Sequence, residues 1–206
     1  FDTSHVELNS KFLSLLGEAS IAPSLPILNH PTMVSSLVAA ATNNGKGIAS
    51  IGYDISMRFY GFGNRNVYPL PSNPIESLMQ CLEDKVNIVN CSWGFCFNDP
   101  SVPSPNPSAE DPVYEVMEVM RDYGIIIVAG AGNNKVHEGC PSGIGVYDGY
   151  FEPGGYDLAI SVSSTDSADH IVHRGDVRHT HNDQVDILAP GFSINALTGS
   201  NGITTD

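Results

Sequence analysis

Residues 125–134 read Ile-Ile-Ile-Val-Ala-Gly-Ala-Gly-Asn-Asn, an apolar run that leads directly into a turn of small and polar residues. Such a continuous apolar run is typical of a strand that is covered on both faces within a parallel sheet. Glycine lets the backbone approach a ligand closely, and the carboxamide of Asn133 is a hydrogen-bond donor. Open parallel sheets bind ligands at the carboxyl ends of their strands, so this turn is a candidate binding site.

Further apolar runs and amphipathic stretches flank this strand along the chain. Strands are predicted at 55–60, 86–91, 125–129 and 158–162, and helices at 72–84, with Ser72 as N-cap, and at 111–123. Strands that alternate with helices in this way are joined by right-handed crossovers into a parallel sheet. The sequence therefore predicts the α/β class, as a three-layer α/β/α sandwich with a mostly parallel sheet.

The chain length is that of one sizeable α/β domain, and we expect residues 1–206 to form a single domain. The segment 98–112 carries five prolines, at positions 100, 103, 105, 107 and 112. Proline lacks an N–H donor and restricts φ, so this segment is predicted to be a surface loop inserted between a strand and a helix.

The composition is that of an acidic globular protein. Acidic residues number 23 against 9 basic ones, which gives a net charge of -14, and 41% of the residues are apolar. This charge repels phosphate backbones and anionic lipids, which argues against nucleic acid as a partner. No apolar run approaches the roughly 20 residues that cross a bilayer, so no membrane span is predicted. The oligomeric state is left open.

The four cysteines follow no zinc-binding pattern, because the sequence contains no C-x-x-C pair. Cys81 and Cys91 lie in apolar stretches and are predicted to be buried in the core. Cys96 and Cys140 lie in predicted loops, where a disulfide bond and two free thiols are both open alternatives.

Two more features stand beside predicted elements. His30 comes just before the helix-like run 33–41, which places its imidazole at the start of a helix. The segment Ser92-Trp93-Gly94 follows the predicted strand 86–91 as a second short polar turn at a strand end. Both features are therefore candidates for a role in a site at the edge of the sheet.

Taken in chain order, these motifs resemble those of the subtilisin-like serine protease family, the subtilases. The resembling segments are Asp2-Thr3-Ser4, His30-Pro31-Thr32-Met33-Val34, Ser92-Trp93-Gly94, Ala129-Gly130-Ala131-Gly132-Asn133, the strand 158–165 and Asp186-Ile187-Leu188-Ala189-Pro190-Gly191. Each motif is short and weak alone. Their common order over nearly the whole chain is what makes the resemblance specific.

The resemblance implies a subtilisin-like fold and a serine endopeptidase with an Asp/His/Ser triad. Asp2 is then the residue that orients the histidine, His30 the general base and Asn133 the donor to the oxyanion. This route needs an imidazole to activate a hydroxyl, a carboxylate to set its tautomer, and donors aimed at the tetrahedral intermediate. A peptide or protein substrate is implied to lie against Ser92, Trp93, Gly94, Ala131 and Gly132.

The nucleophilic serine of the family lies in a Gly-Thr-Ser segment, which does not occur in these 206 residues. Ser200 is the nearest substitute, but no small-residue helix start follows it. The serine is therefore expected just beyond residue 206, and this chain alone, as a truncated catalytic domain, is expected to be inactive. The alternative is a catalytically inactive subtilase fold that binds peptides or acts as a scaffold. Ser4 and Pro31 also stand where the family has glycine.

A second hypothesis concerns residues 170–183, where four histidines lie among aspartates and invite a transition-metal site. The spacing sets no coordination geometry, so a polar connection between two strands is the preferred interpretation and no metal or cofactor is assigned. The resemblance adds that family members often bind structural calcium, for which no Asp-rich loop is assignable here. It also implies an exported protein, secreted or held in the cell envelope.

Overall fold

The computed structural model describes residues 4–16, 29–61, 74–96, 111–133, 151–171, 173–174, 177–180, 182–199 and 202–205. The chain divides into two compact units, and each is described by itself. Unit 1 comprises Phe1–Ser77 and Ser193–Asp206, and unit 2 comprises Leu78–Phe192.

The described residues contain helices α1 (Asn29–Ala39), α2 (Pro74–Glu83) and α3 (Pro112–Asp122), with a 3-10 turn at Asn9–Lys11. The strands are β1 (Phe12–Leu16), β2 (Met57–Tyr60), β3 (Ile88–Cys91), β4 (Phe95–Cys96), β5 (Ile126–Gly130), β6 (Phe151–Glu152), β7 (Ile160–Thr165), β8 (His173–Arg174), β9 (Val177–Arg178), β10 (Ile187–Pro190), β11 (Asn195–Thr198) and β12 (Gly202–Thr205). All the predicted helices and strands are present, with ends that differ from the prediction by a few residues.

Unit 2 is built on a four-stranded sheet in the order β10-β7-β5-β3, in which all the pairings are parallel. Ile88 lies opposite Ile126 and Cys91 opposite Ala129, so β3 and β5 pair in one continuous register. Helix α3 connects these two strands and packs against β5. This unit confirms the predicted α/β class and the mostly parallel sheet.

In β3, β5 and β7 of unit 2, one face of the sheet is buried and the other carries exposed isoleucines. Side chains alternate along each strand, and in β5 the buried Ile127 follows the half-exposed Ile126. The exposed isoleucines are Ile88, Ile126 and Ile160, which are between 38% and 62% exposed. The expectation that β5 is covered on both faces is therefore wrong at Ile126, whose side chain is 49% exposed.

The two cysteines predicted to be core residues are free and buried. Burial raises the pKa of both Cys81 and Cys91 to about 12. Both thiols, Cys81 in α2 and Cys91 in β3, are therefore protonated near neutral pH and behave as small apolar groups. Cys96 lies in β4, whereas Cys140 lies outside the described residues, so the disulfide bond and the two free thiols both stay open alternatives.

Unit 1 contains the parallel pair of β1 and β2, helix α1 and the antiparallel hairpin of β11 and β12. Leu8, Ala40 and Leu197 are buried together and form its core. The hydroxyl of Ser36 donates to the Met33 carbonyl and accepts from the Leu197 N–H at 3.0 Å, which ties α1 to β11. Strands β1, β11 and β12 were not predicted, because polar residues interrupt their short apolar runs.

The proline-rich segment 98–112 falls mostly outside the described residues, apart from Asp111 and Pro112 at the start of α3. In the histidine-rich segment, β8 pairs antiparallel with β9 along the connection from β7 to β10. No cluster of three or more metal-ligating side chains is found in the described ranges. Within the same ranges, none of the helices has the length and apolar character that crossing a membrane requires.

Helix α3 begins with a side-chain cap that also reaches a second element. Asp111 accepts hydrogen bonds from the backbone N–H groups of Val113 at 2.9 Å and Tyr114 at 3.4 Å. Pro112 suits the first helical turn, where its missing N–H has no partner in the helix. The other oxygen of Asp111 accepts from the hydroxyl of the buried Tyr156. Asp111 therefore links α3 to the segment between β6 and β7.

Replacing Asp111 with Ala is expected to lower the free energy of unfolding by about 1 to 3 kcal/mol. The helix loses its cap, and the buried Tyr156 hydroxyl loses an acceptor. Urea denaturation followed by circular dichroism measures this change. Asp54→Ala is the control, because Asp54 is exposed and its loss should cost no more than about 0.5 kcal/mol. Equal stability of the two variants would contradict the linking role of Asp111.

Candidate active site at the carboxyl edge of the sheet

Two polar turns leave the sheet of unit 2 at the same edge. β3 ends at Cys91, opposite Ala129 of β5, so the segments 92–94 and 131–133 both continue from the carboxyl ends of paired parallel strands. Ser92 and Asn133 are exposed at this edge. The structure thus brings together the five residues predicted to contact substrate and the predicted oxyanion donor.

The turn after β5 is held by backbone hydrogen bonds to two other segments. The N–H of Ala131 donates to the Val162 carbonyl of β7 at 2.9 Å, and the carbonyl of Gly132 accepts from the Thr180 N–H at 3.1 Å. Gly132 has a φ of 104°, a conformation that residues with a side chain rarely adopt. These constraints hold Asn133 at the rim of the sheet, where its carboxamide is exposed.

The turn after β3 is anchored to the core through its own side chains. The indole of Trp93 lies close enough to the buried thiol of Cys91 to lower its pKa, against the larger effect of burial. The Nδ2 atom of Asn90 donates to the hydroxyl of Ser92 at 2.9 Å. Trp93 is half-buried beside the end of β3.

Gly94 lies so close to β6 that no side chain fits at its position. β4 pairs antiparallel with β6, with Phe95 opposite Glu152. A Cβ added to Gly94 would lie 2.1 Å from the Glu152 carbonyl oxygen and 2.2 Å from Cε1 of Phe151. β6 thus borders the two turns, and Phe151 is a residue of the site that the sequence did not indicate. Its strand has two residues and no periodicity, and its partner is distant in the chain.

Polar groups join β6 to helix α3 behind the site. Glu152 is half-buried, and burial together with the nearby charge of Asp111 raises the pKa of its carboxyl group. Burial and the hydrogen bond to Asp111 raise the pKa of Tyr156, so its phenol stays protonated and donates. The ring of Tyr156 packs edge-on against Tyr114 of α3, with 5.3 Å between the ring centroids.

His30 lies in unit 1, in the first turn of α1, and its side chain is exposed. Its predicted place at a helix start is confirmed. Pro31 fits there because the N–H groups of a first turn have no acceptor within the helix. Asp2 and Ser200 lie outside the described residues. The convergence of Asp2, His30 and Asn133 on one cleft therefore stays a prediction.

Comparison with known proteins identifies what the chain is similar to. A sequence model described as "Subtilase family" matches residues 19–206. A curated protein described as a thermophilic serine proteinase, from Bacillus sp. (strain AK1), is 24% identical over 173 residues, which are 84% of this chain and 37% of that protein. The chain thus spans little more than a third of the length of this relative.

Three solved structures share the fold at identities too low to show more than the fold. The prenylagaramide maturation protease PagA has a TM-score of 0.73 at 15% identity, covering 99% of this chain and 64% of its own. A mutant of the protease domain of PatA has a TM-score of 0.73 at 16% identity, with coverages of 99% and 68%. A psychrophilic subtilisin-like protease, Apa1, from the Antarctic psychrotroph Pseudoalteromonas sp. AS-11 has 0.70 at 21% identity, with coverages of 96% and 41%. The predicted subtilisin-like fold is confirmed.

Replacing Gly94 with Ala is expected to lower the free energy of unfolding by about 1 to 3 kcal/mol, because the new Cβ would overlap the β6 backbone. Gly130→Ala is the matched control, since nothing lies within 4 Å of a Cβ at that position. Thermal unfolding of the two variants should show a lower Tm for Gly94→Ala only. Unchanged Tm values in both would contradict the close approach of β6 to Gly94.

Proposed function

The chain belongs to the subtilase family, and from this premise we propose that it is part of a serine endopeptidase that hydrolyses peptide bonds. It spans 37% of the length of its curated relative, so the activity of the whole protein is itself part of the proposal. The observation that carries the proposal is the shared sheet edge, where the exposed Asn133 stands beside the exposed strand end at Ser92.

In the proposed mechanism, a serine outside this chain attacks the substrate carbonyl and passes its proton to His30. The imidazole gives that proton to the leaving amine, and water then hydrolyses the acyl enzyme by the same route. Asn133 donates a hydrogen bond to the oxyanion of each tetrahedral intermediate, where negative charge develops. The exposure of both side chains supports these roles, because each must reach a bound peptide.

Asp2 is proposed as the carboxylate that sets the tautomer and orientation of His30. The family match begins at residue 19, so it includes His30 and Asn133 but not Asp2. The assignment of Asp2 accordingly depends on the order of the motifs in the sequence.

We place the substrate as an extended peptide along Ser92-Trp93-Gly94, where it gains main-chain hydrogen bonds by strand addition. The Ala131 N–H already donates to β7, and the Gly132 carbonyl already accepts from Thr180. Ala131 and Gly132 therefore form the opposite wall of the peptide site, and these two backbone groups do not pair with the substrate.

The proposed location is outside the cytoplasm, either secreted or in the cell envelope. Its support is the family, whose members are often exported. The acidic composition, with a net charge of -14, is compatible with that location.

A fluorophosphonate probe tests the endopeptidase proposal on the full-length protein, because it reacts with a serine that a neighbouring base activates. We expect one labelled serine, identified by peptide mapping, and loss of labelling in His30→Ala. His170→Ala is the matched control, since His170 is also exposed and has no proposed role. A full-length protein without a labelled serine would favour the alternative, a catalytically inactive subtilase fold that binds peptides or acts as a scaffold.

Asn133→Ala is expected to lower kcat about 10²- to 10³-fold with little change in KM, because the lost hydrogen bond acts mainly in the transition state. This range is the one known for an oxyanion-hole asparagine in subtilisin itself. Steady-state hydrolysis of a chromogenic peptide by the full-length protein measures both constants. Asn134→Ala is the matched control from the adjacent position and should keep wild-type kcat. A decrease of similar size in both variants would argue against an oxyanion role for Asn133.

A further inference from the structure

The side chain of Phe151 fills the space between the two turns of the candidate site. A Cβ added to Gly132 would lie 3.1 Å from both Cβ and Cγ of Phe151. A Cβ added to Gly94 would lie 2.2 Å from Cε1 and 2.5 Å from Cδ1 of the same ring. The Phe151 side chain therefore extends from the turn after β5, beside its Cβ and Cγ atoms, to the turn after β3, beside Cδ1 and Cε1.

The backbone that carries this ring is held on both sides. β6 pairs with β4, with Phe151 opposite Cys96. The Phe151 carbonyl accepts from the Gly155 N–H at 2.8 Å. Two residues before Gly155, the buried Pro153 continues the same segment toward Tyr156, whose hydroxyl is bonded to Asp111. The position of the ring is thus set by long-range pairing and by the core behind it.

The ring lies where a substrate side chain would have to enter. In the proposed binding mode, the peptide runs along Ser92-Trp93-Gly94 and places the carbonyl of its scissile bond at Asn133. The side chain of the residue that contributes this carbonyl then points between the two turns. That volume is the one that the ring of Phe151 already occupies, beside Gly94 and Gly132.

We propose that Phe151 determines the specificity of the peptide site, which accepts only glycine or alanine at the residue whose carbonyl meets Asn133. A larger side chain at this position would overlap the ring, and closely packed side chains tolerate little added volume. This inference rests on the proposed function, because it takes the position of the substrate from the roles of Ser92 and Asn133.

The test measures binding, so that it does not depend on the nucleophilic serine. Two product-like peptides, Ala-Ala-Ala-Ala and Ala-Ala-Ala-Phe with free carboxyl termini, carry a fluorophore at the amino terminus. Their dissociation constants for the full-length protein are measured by fluorescence anisotropy. We expect the wild type to bind the Ala-ended peptide at least about tenfold more tightly, and Phe151→Ala to abolish or reverse this preference.

Two control variants distinguish an effect of the volume of the ring from a general effect of substitution. Phe151→Tyr keeps the ring and should keep the preference for alanine. Tyr123→Ala removes an aromatic ring that is 77% exposed at the end of α3 and should leave both dissociation constants unchanged. Circular dichroism establishes that each variant is folded. If Phe151→Ala does not fold, Phe151→Leu provides the comparison, and it should weaken the preference for the same reason.

Three outcomes would overturn the inference. They are equal binding of both peptides by the wild type, an unchanged preference in the folded Phe151→Ala or Phe151→Leu protein, and no binding of either peptide. The expected change in preference without any fluorophosphonate-labelled serine would support the role of Phe151 while rejecting endopeptidase activity. The two proposals therefore fail in distinguishable ways.

Discussion

Backbone pairing between β3 and β5 is the constraint on which the candidate site of unit 2 depends. The strands are parallel and in continuous register, from Ile88 opposite Ile126 to Cys91 opposite Ala129. Their two following turns must therefore emerge side by side at one edge. A register shift of a single residue would turn the side chains of one strand to the other face of the sheet and displace its turn relative to the turn of the other strand. The exposed carboxamide of Asn133 and the strand end at Ser92 are neighbours because of this register.

Close backbone approach is the second requirement of the edge, and glycine supplies it. Gly94 leaves room for the β6 carbonyl, and Gly132 adopts a φ of 104° beside Phe151. The same short strand is tied to α3 through Tyr156 and the helix cap at Asp111. The floor between the two turns is thus an aromatic ring whose position follows from hydrogen bonds and packing on the far side of the core. The candidate site and the helix cap of α3 are thus connected through one strand of two residues.

Several elements were predictable because their signals are local. The apolar run at 125–129, the amphipathic stretch at 111–123 and the helix start at His30 each depend on residues within one or two turns of chain. The structure has a strand or helix at each of these places. By contrast, β1 and β6 are strands only because distant segments pair with them. The exposure of Ile126 was also unpredictable, because an apolar run does not indicate which face of its strand is covered in the folded protein.

By itself, the sequence determined the α/β class, the chain order of the three helices with β2, β3, β5 and β7, and the motifs whose common order resembles the subtilases. These features follow from short-range periodicity, capping and turn chemistry, which depend on neighbouring residues and not on the position of the segment in the fold. Only the tertiary structure decided that the turns at Ser92 and Asn133 share an edge, that Gly94 faces the β6 backbone, and that Phe151 stands between them. Contacts of this kind join residues far apart in the chain, and they arise from pairing register and packing of the whole unit, which no local pattern encodes.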